Sequence, residues 1–274
     1  MIKLLRAGGS RLIKNKLFLI LTAFSMGLAL LMIYIRYRDL RNYGDLIETE
    51  QLMLNYATII GIVIAIFTSL FLGTEYSDGV IRNKIIVGHK RMHIYLSNFI
   101  IIMMTSLFSY VILIAVVSCI GIPLFGAITI PISKLLTSLG CIFAVVVAYA
   151  SIFTLIAMVI QNKAITAIVS IMLAFGLVMA AMVCLSRIQA PEYIPSATIV
   201  NGETIIKEVK NPKYPSESEK EMYQILLDLN PAGQMFQLAG RAAPNQKALP
   251  IYSFGLFIVF TAAGIVLFQK KDLK

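Results

Sequence analysis

The chain has 274 residues, of which 58 % are hydrophobic and only 14 % charged, with a mean hydropathy of +0.83. A water-soluble domain, with roughly half its residues apolar and about a quarter charged, is excluded by that balance. The formal net charge of +10 sits in short clusters beside apolar runs, a pattern suited to anionic lipid headgroups that argues against a nucleic-acid partner.

Residues 1–16 read MIKLLRAGGSRLIKNK. On a helical wheel Ile2, Leu5, Leu12 and Ile13 share a stripe, with Lys3, Arg6, Arg11 and Lys14 away from it. This predicts an amphipathic segment in the membrane interface, anchored by those four bases and weakened by Gly8 and Gly9. The apolar run that follows has about 19 residues against 7 to 15 for a signal peptide, and no cleavage site follows it. It reads as a retained anchor.

A membrane-crossing helix needs about 20 mostly apolar residues. Six windows qualify: 17–35, 54–72, 98–122, 135–160, 164–186 and 250–268. None contains Asp, Glu, Lys, Arg or His. The expected fold is therefore an all-α polytopic membrane protein with six transmembrane helices. The scattered polar groups inside the windows, among them Thr68, Ser69, Ser106, Ser109, Tyr110, Tyr149, Ser151 and Thr154, would be the walls of any path.

Between the second and third windows, within residues 73–97, stands GTEYSDGVIRNKIIVGHKRMHIY. Ser77 or Asp78 can cap a short helix that Gly88 ends. Continuing the wheel from the second span puts Glu75, Asp78 and Arg82 on one stripe, with Asp78 and Arg82 able to pair at i, i+4. Val80, Ile81, Ile85 and Val87 would supply apolar contacts to a soluble partner. His89 and His93 are four apart, but Gly88 ends the helix before them and no third ligand is evident, so no metal site is expected.

Further on, Gly121, Pro123, Gly126 and Pro131 are expected to stop a regular helix and make a membrane-hugging connection or a short re-entrant piece on the outer side. Gln161-Asn162-Lys163 forces a tight hairpin between the fourth and fifth spans. The hydrophilic block 187–249 carries Asn201-Gly202 between β-branched runs, a hairpin signal. Ser218 with Glu221 reads as a helix start, Met222, Ile225, Leu226 and Leu229 as its apolar stripe. Asn230-Pro231 opens a second helix that Gly240 stops. A small α+β extracellular subdomain is expected there. Residues 250–274 supply the sixth span and a basic tail. Cys119, Cys141 and Cys184 all fall in apolar windows and read as structural thiols.

Orientation follows the positive-inside rule. With both termini on one side, that side holds 13 of the 24 bases against Glu75, Asp78 and Asp272, and the other side nets zero. Arg36, Arg38 and Arg41 oppose this assignment but are outnumbered by the five bases before the first span. Both termini are expected in the cytoplasm.

The stretch EYSDGVIRNKIIVGHKR resembles the signature of ABC-2 type permeases, the membrane-spanning subunits of ABC exporters. There an acidic residue, a Gly four positions on, an Arg-Asn-Lys-like triplet, another Gly and an Arg follow the second span. Here these are Glu75, Gly79, Arg82-Asn83-Lys84, Gly88 and Arg91, with Val80 where Thr is common. The six spans, the N-terminal segment and the loop with Asn230-Pro231 are similar to bacitracin and lantibiotic self-protection permeases of bacterial plasma membranes. The resemblance implies a non-catalytic subunit coupled through Glu75, Asp78, Gly79, Arg82, Lys84, Gly88 and Arg91 to a separate P-loop ATPase that binds ATP and Mg. It also implies a second copy or a similar permease to complete the path, with an antimicrobial peptide or another amphipathic molecule as cargo. The chain itself has no G-x-x-x-x-G-K-[ST] and no cofactor is expected in it.

An ion-coupled transporter or an intramembrane protease would need ionisable groups inside the spans, and the windows have none. A non-transporting immunity or sensor protein that binds a peptide through its outer subdomain stays open.

Overall fold

The computed structural model describes residues 1–44, 48–200 and 203–271. Among these, six helical stretches are long and apolar enough to cross a membrane: Lys16–Tyr43, Thr49–Ser77, Arg91–Phe125, Ile132–Val159, Lys163–Ile188 and Leu249–Lys270. The protein is a multi-pass membrane protein of helical class.

Helix α1 spans Ile2–Lys14, and Asn15 separates it from α2, Lys16–Tyr43, by accepting the Leu17 N–H on its side chain at 2.9 Å. At 28 residues α2 is about 42 Å long, longer than a hydrocarbon core of about 30 Å, so Arg36, Arg38 and Arg41 stand on its projecting end. The second span is α3, Thr49–Asn55, and α4, Ala57–Ser77. A short helix, α5, covers Val80–Ile86.

The third span, α6, runs Arg91–Val116 and continues through a π-turn, Val117–Gly121, into α7, Ile122–Phe125. Here the sequence expectation fails: Gly121 and Pro123 do not stop the helix. Pro123 lacks the N–H that would bond back to Cys119, and the wider π-turn falls where that ladder is broken. The stop comes at Gly126, with φ +100.

The core centres on α8, Ile132–Val159, whose segment Ala144–Thr154 is buried on every side. A helix apolar all round belongs in the middle of a bundle. It packs on α4, α6 and α12, Leu249–Lys270. Gly264 on α12 admits the Tyr95 ring of α6, whose hydroxyl would lie 2.1 Å from any Cβ there. The fifth span, α9, Lys163–Ile188, buries Thr166, Ser170, Ala174, Ala181 and Cys184 against its neighbours and exposes large apolar residues such as Met172, Phe175 and Met182. Exposed apolar faces are expected where lipid is the solvent.

Strands β1, Tyr193–Val200, and β2, Glu203–Lys210, pair antiparallel with Val200 opposite Glu203. The Asn201-Gly202 turn lies outside the described residues, as do Asp272 and Lys274. Helix α10, Glu217–Leu229, starts two residues earlier than expected: Ser216, not Ser218, is the cap, in a reciprocal box with Glu219. Helix α11, Pro231–Ala239, opens on Asn230 as read from the sequence. Its left-handed terminal residue is Arg241, φ +52, one position beyond Gly240.

The α10–α11 pair packs on the span helices. Leu227 and Ala232 form a cluster with Ala181 and Cys184, and Asn230 Nδ2 donates to the Leu177 carbonyl at 2.8 Å. Leu177 lies 11 residues before the end of α9, about 16 Å along its axis. The predicted stripe Met222, Ile225, Leu226 and Leu229 faces outward, 44–54 % exposed. The inward face carries polar groups beside Leu227. Asp228, 1 % exposed, accepts from Gln224 Nε2 at 2.7 Å, Gln237 Nε2 at 2.9 Å and Asn245 Nδ2 at 3.2 Å.

Candidate functional site

At the end of α4 the chain turns sharply. The Asp78 and Gly79 N–H groups close on the carbonyls of Thr74 and Tyr76, and Gly79 takes φ +67. No atom lies near its missing Cβ, so the backbone angle, not space, requires glycine. Nine residues later Gly88, φ +90, ends α5 as the sequence predicts, with Gly88 N–H on Ile85 O and His89 N–H on Lys84 O.

The break at Gly79 dissolves the expected stripe. Asp78 and Arg82 are both exposed, and no ion pair joins them. The side chain that turns inward is Lys84. Its Nζ lies 2.8 Å from Glu75 Oε2 and 3.3 Å from Asn98 Oδ1 on α6. Arg11 of α1 reaches the same carboxylate, Nη1 to Oε1 3.1 Å. Glu75 is 1 % exposed, so one buried carboxylate holds two bases from two other helices. Asn98 extends the network to α8 through Met158 Sδ at 3.5 Å, and Tyr76 donates to Met158 O at 2.6 Å.

Arg11 therefore reaches into the bundle, whereas Lys3, Arg6 and Lys14 are exposed. The buried residues of α1 are Leu4 and Gly8; Ile2 and Ile13 point outward. Gly8 does not merely weaken the helix, because a Cβ there would meet Ile101 Cδ1 at 2.2 Å.

Arg91 lies against the end of α12. Its Nη1 donates to the carbonyls of Phe268 at 3.1 Å and Gln269 at 3.2 Å, and to Lys271 O, tying α6 to the last carbonyls of α12. On α5, Ile81 is buried and Ile85 half-buried, while Ile86 and Val87 are 71 % and 76 % exposed. The outward surface thus consists of Asp78, Arg82, Asn83, Ile86 and Val87, not of Val80 and Ile85. His89 precedes α6 and His93 lies in its first turn. Among the described residues, no three of His, Cys, Asp and Glu gather as metal ligands.

The polar residues read as path walls are buried within the bundle. Ser69, Ser106 and Ser151 donate to carbonyls of their own helices, and Ser109 pairs with Ser25 of α2 at 2.6 Å. Sequence reasoning missed Asn98, a polar residue at the very edge of an apolar window, and the opposite end of the bundle. There Glu50, wholly buried, accepts from the N–H groups of Thr129 and Ile130, both at 3.2 Å, and faces Arg241 Nη2 at 3.4 Å.

No family model matches the chain, and no curated protein matches it.

Proposed function

We propose that the protein is the membrane-spanning subunit of an ATP-driven exporter of the ABC-2 type. In this reading α5 is the joint with a separate P-loop ATPase. The observation that carries it is the mounting of α5. Two glycine turns isolate the helix, and Lys84 ties it to Glu75 and Asn98. A charged and apolar outer face is left free for a partner.

A force applied to that face is delivered through a buried ion pair to α1, α4 and α6 together, with little slack in a close-packed interior. The basic end of the bundle is the cytoplasmic one, both termini lie there, and the membrane is a bacterial plasma membrane. The buried polar groups leave the subunit's outer surface apolar, so a second copy or a similar chain completes the path. An antimicrobial peptide or another amphipathic molecule is the cargo that the sequence resemblance favours.

Affinity isolation of the tagged chain from its native membrane, with mass spectrometry of what accompanies it, tests this. Recovery of a P-loop ATPase that is lost on Arg82→Glu supports the reading. A preparation free of ATPase that still binds peptide makes the protein a receptor or immunity protein instead.

A further inference from the structure

At the end of the bundle opposite α5, two adjoining cavities share Lys134, Ala243 and Gln246 as walls. The first, of about 230 Å³, reaches inward to Ser138, Gln237 and Arg241. The second, of about 550 Å³, opens between the first turn of α8 and residues 243–248 and adds Lys247. Three cations line this cleft and no Asp or Glu does.

Its amides are already engaged. Gln246 Nε2 donates to Ser138 Oγ at 2.9 Å, and the amides of Gln237 and Asn245 donate to Asp228. The ammonium groups of Lys134 and Lys247, in contrast, have neither a hydrogen bond nor an ion pair among the described residues. Their ammonium groups are the free donors of the site. The two acids that Arg241 contacts, Glu48 and Glu50, lie outside both linings.

Arg241 adds an independent observation. It is the one non-glycine residue with positive φ among those described. Its N–H bonds Leu238 O and that of Ala242 bonds Gln237 O, which is the closure that glycine ordinarily makes at a helix end. An L-residue is disfavoured in this conformation, and such local strain concentrates at functional sites. Beside the cations, α8 presents Ile132, Leu136 and Phe143 outward, and α12 presents Ile251.

We propose that this cleft binds a phosphate group carried on an apolar tail: an anionic phospholipid of the adjacent leaflet. Its headgroup lies between Lys134, Lys247 and Arg241, and its chain lies along the outward face of α8. The site stands independently of the transport reading above.

Native mass spectrometry of the full chain, titrated with dioleoylphosphatidylglycerol or dioleoylphosphatidylcholine, tests it. The wild type should retain the glycerol lipid preferentially, and Lys134→Gln with Lys247→Gln should lower that retention roughly fivefold per lysine. Lys210→Gln with Lys213→Gln, which removes equal charge from exposed positions elsewhere, should leave it unchanged. Equal retention of both lipids by the wild type, or a preference that survives the Lys134 and Lys247 changes, overturns the site. Displacement of the lipid by millimolar inorganic phosphate supports recognition through the phosphate alone. Failure to displace, with retention still lost in the double variant, supports the intact lipid as the ligand.

Discussion

Lys84 reaches back across the break at Gly79 to place its Nζ 2.8 Å from Glu75 Oε2, nine residues away in sequence and buried at the end of α4. Arg11 takes the other carboxylate oxygen at 3.1 Å. A buried ion pair contributes little net stability, but removing one partner leaves a charge in a low dielectric at a cost of about 3–5 kcal/mol. Glu75→Ala, which strands Lys84, should therefore destabilise strongly. Lys84→Met should cost less, because Arg11 still compensates Glu75. Glu75→Ala combined with Lys84→Met should recover much of the loss. Thermal unfolding of the four purified proteins checks this; additive effects would show that the two residues are not coupled.

The two adjacent glycines of α1 should respond in opposite directions. Gly9 has open space about its Cβ position and a helical backbone, so Gly9→Ala should stabilise by up to about 1 kcal/mol. At Gly8 the same change drives a methyl into Ile101 and should loosen α1 from α6. Protease susceptibility of the N-terminal segment distinguishes the two variants.

Helix α10 provides a test of depth. Its apex reaches the Leu177 carbonyl, and its outward face is Met222, Ile225, Leu226 and Leu229. With Met222, Ile225, Leu226 and Leu229 outward and Gln224, Asp228 and Gln237 inward, the C-terminal half of α10 suits lipid better than water, whereas the exposed Glu217, Glu219 and Glu221 suit its first turns to water. Leu226→Cys should resist a membrane-impermeant maleimide in vesicles and react after transfer to urea. Lys213→Cys, exposed before the helix, should react in both. Rapid labelling of both in vesicles would return α10 to water.

The six spans and the Gly88 stop of α5 were legible because run length and φ > 0 requirements are local properties, whereas the break at Gly79, read as part of a helix capped by Ser77 or Asp78, was not. The inward or outward sense of α10 was not. An i, i+3, i+4, i+7 stripe establishes that a helix has an apolar face, but beside a bilayer that face can turn to lipid while amides turn inward. The start of α10 was ambiguous for a simpler reason: PSESEKE contains two overlapping S-x-x-E boxes, and only packing chooses between them. The contact of Arg91 with Phe268 O depended on where the last turn of α12 arrives, 177 residues later.

That ambiguity yields a direct comparison. Ser216→Ala should lower stability by about 1 kcal/mol, whereas Ser218→Ala should be close to neutral. The Glu219 carboxyl is held below its ordinary value by the Ser216 backbone N–H and hydroxyl. Its contribution is therefore complete above the ordinary carboxylate value of about 4.3 and fades as pH falls through the lowered one. Stability measured between neutral and acid pH should separate the two variants at neutral pH and narrow the gap in acid without closing it, because the Ser216 hydroxyl still accepts the Glu219 N–H there.

The outer face of α5 allows the joint to be separated from the fold. Arg82 is exposed and makes no ion pair with Asp78, and Ile86 is 71 % exposed, so neither supports the bundle. Arg82→Glu and Ile86→Asp should leave insertion and thermal unfolding within about 0.5 kcal/mol of the parent. If a partner docks on this face, both changes should weaken its capture, Arg82→Glu in a salt-dependent way and Ile86→Asp at any ionic strength, because screening acts on exposed charge and not on apolar burial. Lys84→Met, which leaves the face intact but cuts α5 from Glu75, should retain the partner and lose the link between ATP hydrolysis and transport. Partner capture and ATPase activity, measured on the same preparations, tell these apart. Unchanged capture in Arg82→Glu and Ile86→Asp would mean that α5 is a solvated loop helix and not a joint.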